Sequence, residues 1–319
     1  MNMIKSPIFI IGLPRSGSTL FHNLIVMNPK IFRLAEMHYL NPWRKDFRYF
    51  LKNKVGDLSK EENIRKMIDM IFSSETIDGI TGAFWRFENI EAVKNPEFKR
   101  ELYNKISESD KSLESIFKIL LEELTRFSGY NRFCVKFPVY VNNVPELLKW
   151  YPDCKIIHVT RDPRAIAMSK TNDPGGTAVV IKKYPYLKFF IRKAMIAFVI
   201  VQYIWSSRLH QKYKNYKNYA LFKHEDLLAE PEKVLKELCE FMEVDYDPCM
   251  LELDKGRHEH QSSSVTEKKT RNIDKKAAVR WKAIITPFEN IIITWLTKKS
   301  MKRFEYNPET HPVFKNDKV

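Results

Sequence analysis

The sequence predicts an α/β protein: a P-loop-like parallel sheet flanked by helices on both faces, with a helical insertion. Three observations carry that prediction. Short apolar runs bounded by turn residues alternate with amphipathic helical patterns. The first of those runs ends in a glycine-bearing turn that opens a helix. From about residue 42 to about residue 130 the pattern is mainly helical. A chain of 319 residues with 44% apolar content buries a sizeable core without staples and is too apolar for disorder, so it is read as one domain over 1–319.

The first strand runs from Pro7 to Gly12, turns through Leu13 to Gly17 and opens a helix from about Ser18 to Met27. Leu20, Phe21, Leu24 and Ile25 share one face of that helix, and Asn28 and Pro29 end it. In the insertion, Ser59-x-x-Glu62 has the form of a capping box. Leu113, Ile116, Phe117, Leu120, Leu121 and Leu124 recur at helical spacing, with Gly129 as a stop. The alternation resumes with a strand from Arg132 to Phe137, a short helix from Val144 to Trp150, and a buried strand from Cys154 to Thr160. Asp162 and Pro163 read as the N-cap and first-turn proline of the next helix. ALFKHEDL reads as a late strand, and Pro231 to Met242 as a helix with Val234, Leu235, Leu238, Cys239 and Met242 inward.

Fifty-four basic against 39 acidic residues give a formal charge of +15, dispersed along the chain. Dispersed charge marks a solvated surface, or steering of an anionic ligand, more than nucleic-acid recognition. The cysteines (Cys134, Cys154, Cys239, Cys249) form no C-x-x-C pair, so a zinc knuckle and a secreted disulfide framework are both disfavoured and a reducing, cytoplasmic setting is expected. His258 and His260 flank Glu259, but no third ligand has convincing spacing, so no metal is expected. The N-terminus reads as a strand and not as a leader. The apolar run from Ala194 to Ser207 is 14 residues, short of the roughly 20 that span a bilayer. It reads as a buried helix entered by a solvated basic segment, with contact between residues 182–193 and an anionic membrane surface as the alternative. His158 reads as a satisfied core histidine, and Trp205, Trp281 and Trp295 as packing residues. Residues 255–282 hold nine Lys or Arg against three Asp or Glu and read as a mobile basic loop entering a helix, near a phosphate site.

Two constellations carry chemistry. In IFIIGLPRSGSTL, a strand turns into a helix N-terminus, where backbone N–H groups and the helix dipole form an anion site. Gly12, Gly17 and Thr19 fit the Walker spacing, but Ser18 stands at the lysine position, and the cation of the loop is Arg15. Such a site suits a 5′-phosphate bearing a less charged transferable group than a triphosphate tail. In VTRDPRAIAMS, Arg161 lies just past a buried strand and Ser169 two turns into the next helix. A guanidinium fork and a hydroxyl together can grip a terminal phosphate. The plainer alternative pairs Arg161 with Asp162 or a neighbouring carboxylate.

Together GLPRSGST and VTRDPRAIAMS resemble the PAPS-dependent sulfotransferase family, and FKHEDLLAEPEKVLKELCEFM and HQSSS extend the resemblance from about Pro7 to Tyr306. The resemblance implies that Pro14, Arg15, Ser16, Gly17, Ser18 and Thr19 hold the 5′-phosphosulfate of 3′-phosphoadenosine 5′-phosphosulfate. It likewise implies that Arg161 and Ser169, eight residues apart, hold the 3′-phosphate, with Lys268, Lys269 and Arg271 as further nucleotide contacts. The chain looks closer to the protein-tyrosine and bacterial branch than to the cytosolic small-phenol branch, because Glu36 lies 21 residues after Arg15, the spacing of a catalytic glutamate there. LAEMHY departs from that branch's doubled glutamate, which leaves the acceptor open. Lys136 matches a family lysine beside the transferring sulfonate.

The resulting expectation is metal-independent, in-line sulfonate transfer to a hydroxyl or amine of a carbohydrate, lipid, phenol or peptide. Glu36 is the expected base and His38 its rival. A P-loop nucleotide kinase and a module binding nucleic acid or an anionic surface are the alternatives. The segment from 42 to 130 is the expected acceptor side.

Overall fold

Apolar runs flanked by turn residues become the strands of one sheet. A computed structural model describes residues 4–34, 39–40, 46–72, 76–77, 80–81, 91–138, 140–173, 176–253 and 273–308. Its strands are β1 (Ile8–Gly12), β2 (Phe32–Leu34), β3 (Thr76–Ile77), β4 (Ile80–Thr81), β5 (Phe133–Pro138), β6 (Lys155–Thr160) and β7 (Tyr219–Lys223). Its α-helices begin with α1 (Ser18–Ile25), α2 (Phe47–Phe50), α3 (Glu61–Phe72), α4 (Glu91–Lys94), α5 (Pro96–Glu108), α6 (Leu113–Phe127) and α7 (Val144–Trp150). They continue with α8 (Pro163–Thr171), α9 (Thr177–Lys183), α10 (Lys188–Tyr213), α11 (His224–Ala229), α12 (Pro231–Met242) and α13 (Pro287–Arg303).

The five-stranded parallel sheet has the order β2-β5-β1-β6-β7 and is flanked by helices, and β3 and β4 form a separate antiparallel pair. Phe32 pairs with Phe133 and Leu34 with Val135 in the β2–β5 register. Every residue of β1 and of β6 is buried, as expected of central parallel strands covered on both faces.

By internal contacts the chain divides into two units, residues 1–11 with 25–157, and residues 12–24 with 158–319. In the first, Phe9 of β1 lies 5.9 Å from Phe133, 5.7 Å from Phe137 and 5.7 Å from Tyr151, ring centre to ring centre. Tyr39 stacks on Phe47 at 4.2 Å and donates its hydroxyl to the Leu113 carbonyl at 2.7 Å, so a ring buried from water keeps its polar end satisfied. Asn95 caps α5 and Ser112 caps α6, whose Ile116, Phe117, Leu120, Leu121 and Leu124 are buried at the spacing read from the sequence. Helix α3 begins at Glu61, so Ser59, expected to open a capping box, lies in the preceding turn, where its hydroxyl donates to Asp57 at 2.6 Å.

In the second unit, α8, α10 and α13 share a core that includes Met168, Val199, Tyr203, Ile293, Met301 and Phe304. Helix α12 buries Val234, Leu235, Leu238, Cys239 and Met242 as the pattern predicted. The segment ALFKHEDL divides: the strand stops at Lys223, and His224 opens α11, with Glu225 and Asp226 at the helix end that favours carboxylates. The expected buried helix extends through Lys188–Tyr213 and is buried on one face alone, because Phe198, Val201 and Trp205 are exposed. Trp281 packs inside, whereas Trp205 and Trp295 do not. His158 is buried, with Ser206 Oγ 3.0 Å from Nε2 and the Tyr219 hydroxyl at Nδ1.

Candidate active site

In the second unit, the C-terminal ends of β1 and β6 deliver the chain into two adjacent features, a turn leading to α1 and the start of α8. The turn is held by Ser16 N–H donating to the Leu13 carbonyl at 3.0 Å. Pro14 presets the second position of such a turn, and the third needs a positive φ that is usually left to glycine. Arg15 occupies it, with φ +77°. A bulky residue in the left-handed region costs on the order of 1 kcal/mol or more, a strain found at sites that must aim a side chain. Gly17 then takes φ +96°, and its α-carbon lies so close to His224 that an added methyl would meet the ring at 2.0 Å. A methyl on Gly12 would meet the Val159 carbonyl oxygen of β6 at 2.4 Å. Both glycines let backbone approach backbone or ring, and Ser18 and Thr19 follow as the first N–H groups of α1.

Arg15 Nε donates to Ser169 Oγ at 2.9 Å, and its guanidinium is 3.9 Å from Asp173. Arg161 donates through Nη1 to the Arg15 carbonyl at 3.4 Å and through Nη2 to the Ala277 carbonyl at 2.7 Å. The carboxylate next to Arg161 in sequence is engaged elsewhere. Asp162 caps α8 through the Arg164 N–H at 2.8 Å and grips the Arg164 guanidinium, whose Nη2 is 2.6 Å away. Arg164 in turn lies 4.8 Å over the Trp281 ring. Arg161 is thereby left to backbone carbonyls, and the simple Arg161–Asp162 pair does not form.

Three buried polar atoms around this turn lack a hydrogen-bond partner: Ser16 Oγ, Arg161 Nε and His224 Nδ1. Burial pushes His224 down to about 3, and the Arg161 charge adds to the push, so the ring is neutral. Burial also lowers Arg161 from its ordinary value, with Glu225 pulling the other way. Glu225 is raised by burial, while the Tyr306 hydroxyl at 2.6 Å and the Asp162 N–H at 3.1 Å favour its charged form. Two guanidinium groups, helix N–H groups and unpaired polar atoms at one turn are donors of the kind that can receive a phosphate-like oxyanion.

A model of the sulfotransferase family matches residues 7–248, about three quarters of the chain. The chain belongs to the sulfotransferase family. Its fold is similar to the sulfotransferase domain from the Synechococcus PCC 7002 olefin synthase, at 19% identity and a TM-score of 0.56, covering 95% of this chain and 96% of that one. The sulfotransferase domain from the curacin biosynthetic pathway is similar at 18% identity and a TM-score of 0.57, over 96% of this chain and 99% of that one. Among curated proteins no sequence matches significantly.

Of the residues singled out from sequence, this sulfotransferase brings Arg15, Arg161 and Ser169 into one hydrogen-bonded group beside Pro14, Ser16, Gly17, Ser18 and Thr19. Lys136 is buried in β5 of the first unit. Glu36, His38, Lys268, Lys269, Arg271, His258 and His260 lie outside the described residues. Sequence reasoning missed His224, Asp173 and the Ala277 carbonyl. His224 stood inside a segment read as strand, where its side chain had no reason to face the turn. The one signal available was the acidic pair after it, which favours a helix start. Among the described residues no cluster of three or more His, Cys, Asp or Glu is arranged to hold a metal ion, and no helix is long and apolar enough to cross a membrane.

Proposed function

We propose that this sulfotransferase moves a sulfonate group from 3′-phosphoadenosine 5′-phosphosulfate to an acceptor hydroxyl or amine, with Glu36 as the base. The observation that most supports the reading is the trio of partnerless buried atoms, Ser16 Oγ, Arg161 Nε and His224 Nδ1, gathered at one strand-to-helix turn. Unpaired buried polar groups are costly, and the nucleotide supplies acceptors to both donors, its 5′ end to the Ser16 hydroxyl and its 3′-phosphate to the Arg161 guanidinium. Pro14, Arg15, Ser16, Gly17, Ser18 and Thr19 then hold the 5′-phosphosulfate, and Arg161 and Ser169 the 3′-phosphate. Lys268, Lys269 and Arg271 add positive charge toward the nucleotide. The Arg15–Ser169 hydrogen bond links the residues assigned to its two ends.

The bound nucleotide supplies an activated sulfonate on a stable leaving group. The chain's residues do the rest. Glu36 takes the proton from the acceptor, with His38 as the rival for that role. Arg15 and Lys136 balance negative charge as it builds on the sulfonate and the departing oxygen. A metal is unnecessary on charge grounds, since a sulfonate carries less negative charge than a phosphoryl group. The helical insertion between about 42 and 130 lines the acceptor side in this reading, and carbohydrate, lipid, phenol and peptide hydroxyls are the candidate acceptors.

Calorimetric titration with adenosine 3′,5′-bisphosphate, ATP and GTP tests the donor. The bisphosphate should bind most tightly, and tighter binding of ATP or GTP would move the assignment to a nucleotide kinase. Glu36→Gln should abolish turnover while leaving bisphosphate affinity within about twofold, since the base acts on the acceptor and not on the donor. Turnover at the wild-type rate would transfer the role of base to another residue.

A further inference from the structure

Helices α10 and α13 turn large apolar side chains away from the core. In α10, Ile196, Val199 and Tyr203 are buried, while Phe190, Phe198, Val201 and Trp205 form an exposed row at helical spacing on the opposite side. In α13, Ile293 and Met301 are buried, and Phe288, Ile291 and Trp295 make a second exposed row. Trp205 is 54% exposed and Trp295 is 74% exposed, values far outside the norm for the largest apolar side chain.

The two helices lie side by side and run the same way. Arg192 Nε is 2.8 Å from Glu289 Oε1 near their starts, and Ser207 Oγ is 2.9 Å from Ser300 Oγ further along. Lys193 Nζ lies 5.4 Å from the centre of the Phe189 ring and 5.6 Å from that of Phe288, so one cation bridges the first turns of the two helices.

The charge along the two helices is mostly of one sign. Between Thr177 and His224 there are ten Lys or Arg and no Asp or Glu. The one acidic residue of α13, Glu289, is buried and held by Arg192 and Lys193. Lys298, Lys299 and Lys302 are exposed on α13. A protein–protein interface core is depleted in lysine. Exposed aromatic rings interleaved with lysines and free of acids instead match a helix face lying in the headgroup region of an anionic bilayer, where lysine stems reach outward to lipid phosphates.

We propose that the outward face of α10 and α13 docks this protein on an anionic lipid bilayer, lying on it and not crossing it. The docking is independent of the donor chemistry and of the acceptor.

Flotation of the full chain with vesicles of mixed phosphatidylcholine and phosphatidylglycerol, and with vesicles of phosphatidylcholine alone, tests it. The anionic vesicles should bind at least about tenfold better, and raised salt should release the protein. Brominated lipid should quench its tryptophan fluorescence. Trp205→Ser combined with Trp295→Ser should weaken binding roughly tenfold or more, because two ring systems leave the lipid interface. If that variant melts below the wild type, Lys298→Glu with Lys299→Glu replaces it, and should weaken binding to the anionic vesicles alone. Absence of binding to anionic vesicles, or unchanged binding by a folded variant, overturns the proposal. So does a lipid-free dimer in sedimentation velocity that the tryptophan substitutions abolish, since a second copy would then cover the face. Bisphosphate titration on the same samples separates failure of docking from failure of the donor reading.

Discussion

Arg15 Nε and Ser169 Oγ are joined by a hydrogen bond of 2.9 Å across 154 residues of sequence. The bond ties the turn after β1 to the helix after β6, and Arg161 reinforces it by donating to the Arg15 carbonyl. The left-handed backbone at Arg15 makes sense in this light. A strained residue persists when its surroundings hold it, and here the side chain and the carbonyl of one residue are each anchored by a different part of the neighbouring strand-helix unit.

Arg15→Ala should lower kcat by about a hundredfold or more, the scale expected when one preorganised donor is removed from a charge-building transition state. Bisphosphate affinity should fall by a smaller factor, because Arg161 and the helix N–H groups are retained. Ser169→Ala should act in the reverse order, weakening the bisphosphate more than it slows turnover at saturation. Steady-state kinetics beside calorimetry checks both, and the same ranking for the two variants would undo the division of roles.

Gly17→Ala should destabilise the fold by about 2 to 4 kcal/mol, combining left-handed strain with overpacking. The added methyl would stand 2.0 Å from His224 Cδ2. Combining it with His224→Ala should recover the overpacking share and leave the backbone share in place. Urea midpoints for the single and double variants give the coupling directly. If the second substitution recovers nothing, the ring contact is not the source of the cost.

The central sheet and the helices α6, α7, α8 and α12 were legible because the sheet's buried strands are unbroken apolar runs between turn residues, because α6 and α12 repeat apolar residues at near-four spacing, and because Asp162 sits at a cap with ordinary chemistry. The turn from Leu13 to Gly17 was legible from its glycines and its place after a buried run. The position of His224 was not, since a strand end and a helix start differ there by the fate of one backbone turn that tertiary packing decides. Ser59 was misread because α3 begins at Glu61, which leaves Ser59 in the turn before the cap position, where its hydroxyl donates to Asp57. The exposure of Trp205 was likewise hidden, for an apolar run reads the same whether its second face meets protein or not.

Arg161→Ala should weaken adenosine 3′,5′-bisphosphate by about tenfold to a hundredfold, the worth of a charged hydrogen-bond pair. Adenosine 5′-phosphate, lacking the 3′-group, should lose far less. The geometry motivates the contrast: two guanidinium nitrogens are committed to the Arg15 and Ala277 carbonyls, and Nε is buried without a partner. Equal losses for the two nucleotides in calorimetry would mean that Arg161 serves the turn and not the 3′-phosphate.

Acid should unfold this protein in a window that its buried histidines define. His158 and His224 are both pushed down to about 3 in the fold, chiefly by burial, from an ordinary value of 6.5. The unfolded chain therefore binds more protons than the native one between about pH 6.5 and 3, and stability must fall as pH falls through that range, by up to about 1.4 kcal/mol per pH unit for each ring. Glu289 adds a loss of its own at lower pH: its hydrogen bond from Arg192 holds it at about 2, so the stabilisation present above 4.5 disappears toward 2. Glu225, raised by burial, opposes the trend just above 4.5. His224→Gln should reduce the slope of urea stability against pH between 6 and 5 by nearly one proton, while Glu289→Gln should leave that slope unchanged and lower stability by about 3 kcal/mol at neutral pH. A wild-type slope near zero between pH 6 and 5 would contradict the neutral, buried state of both rings.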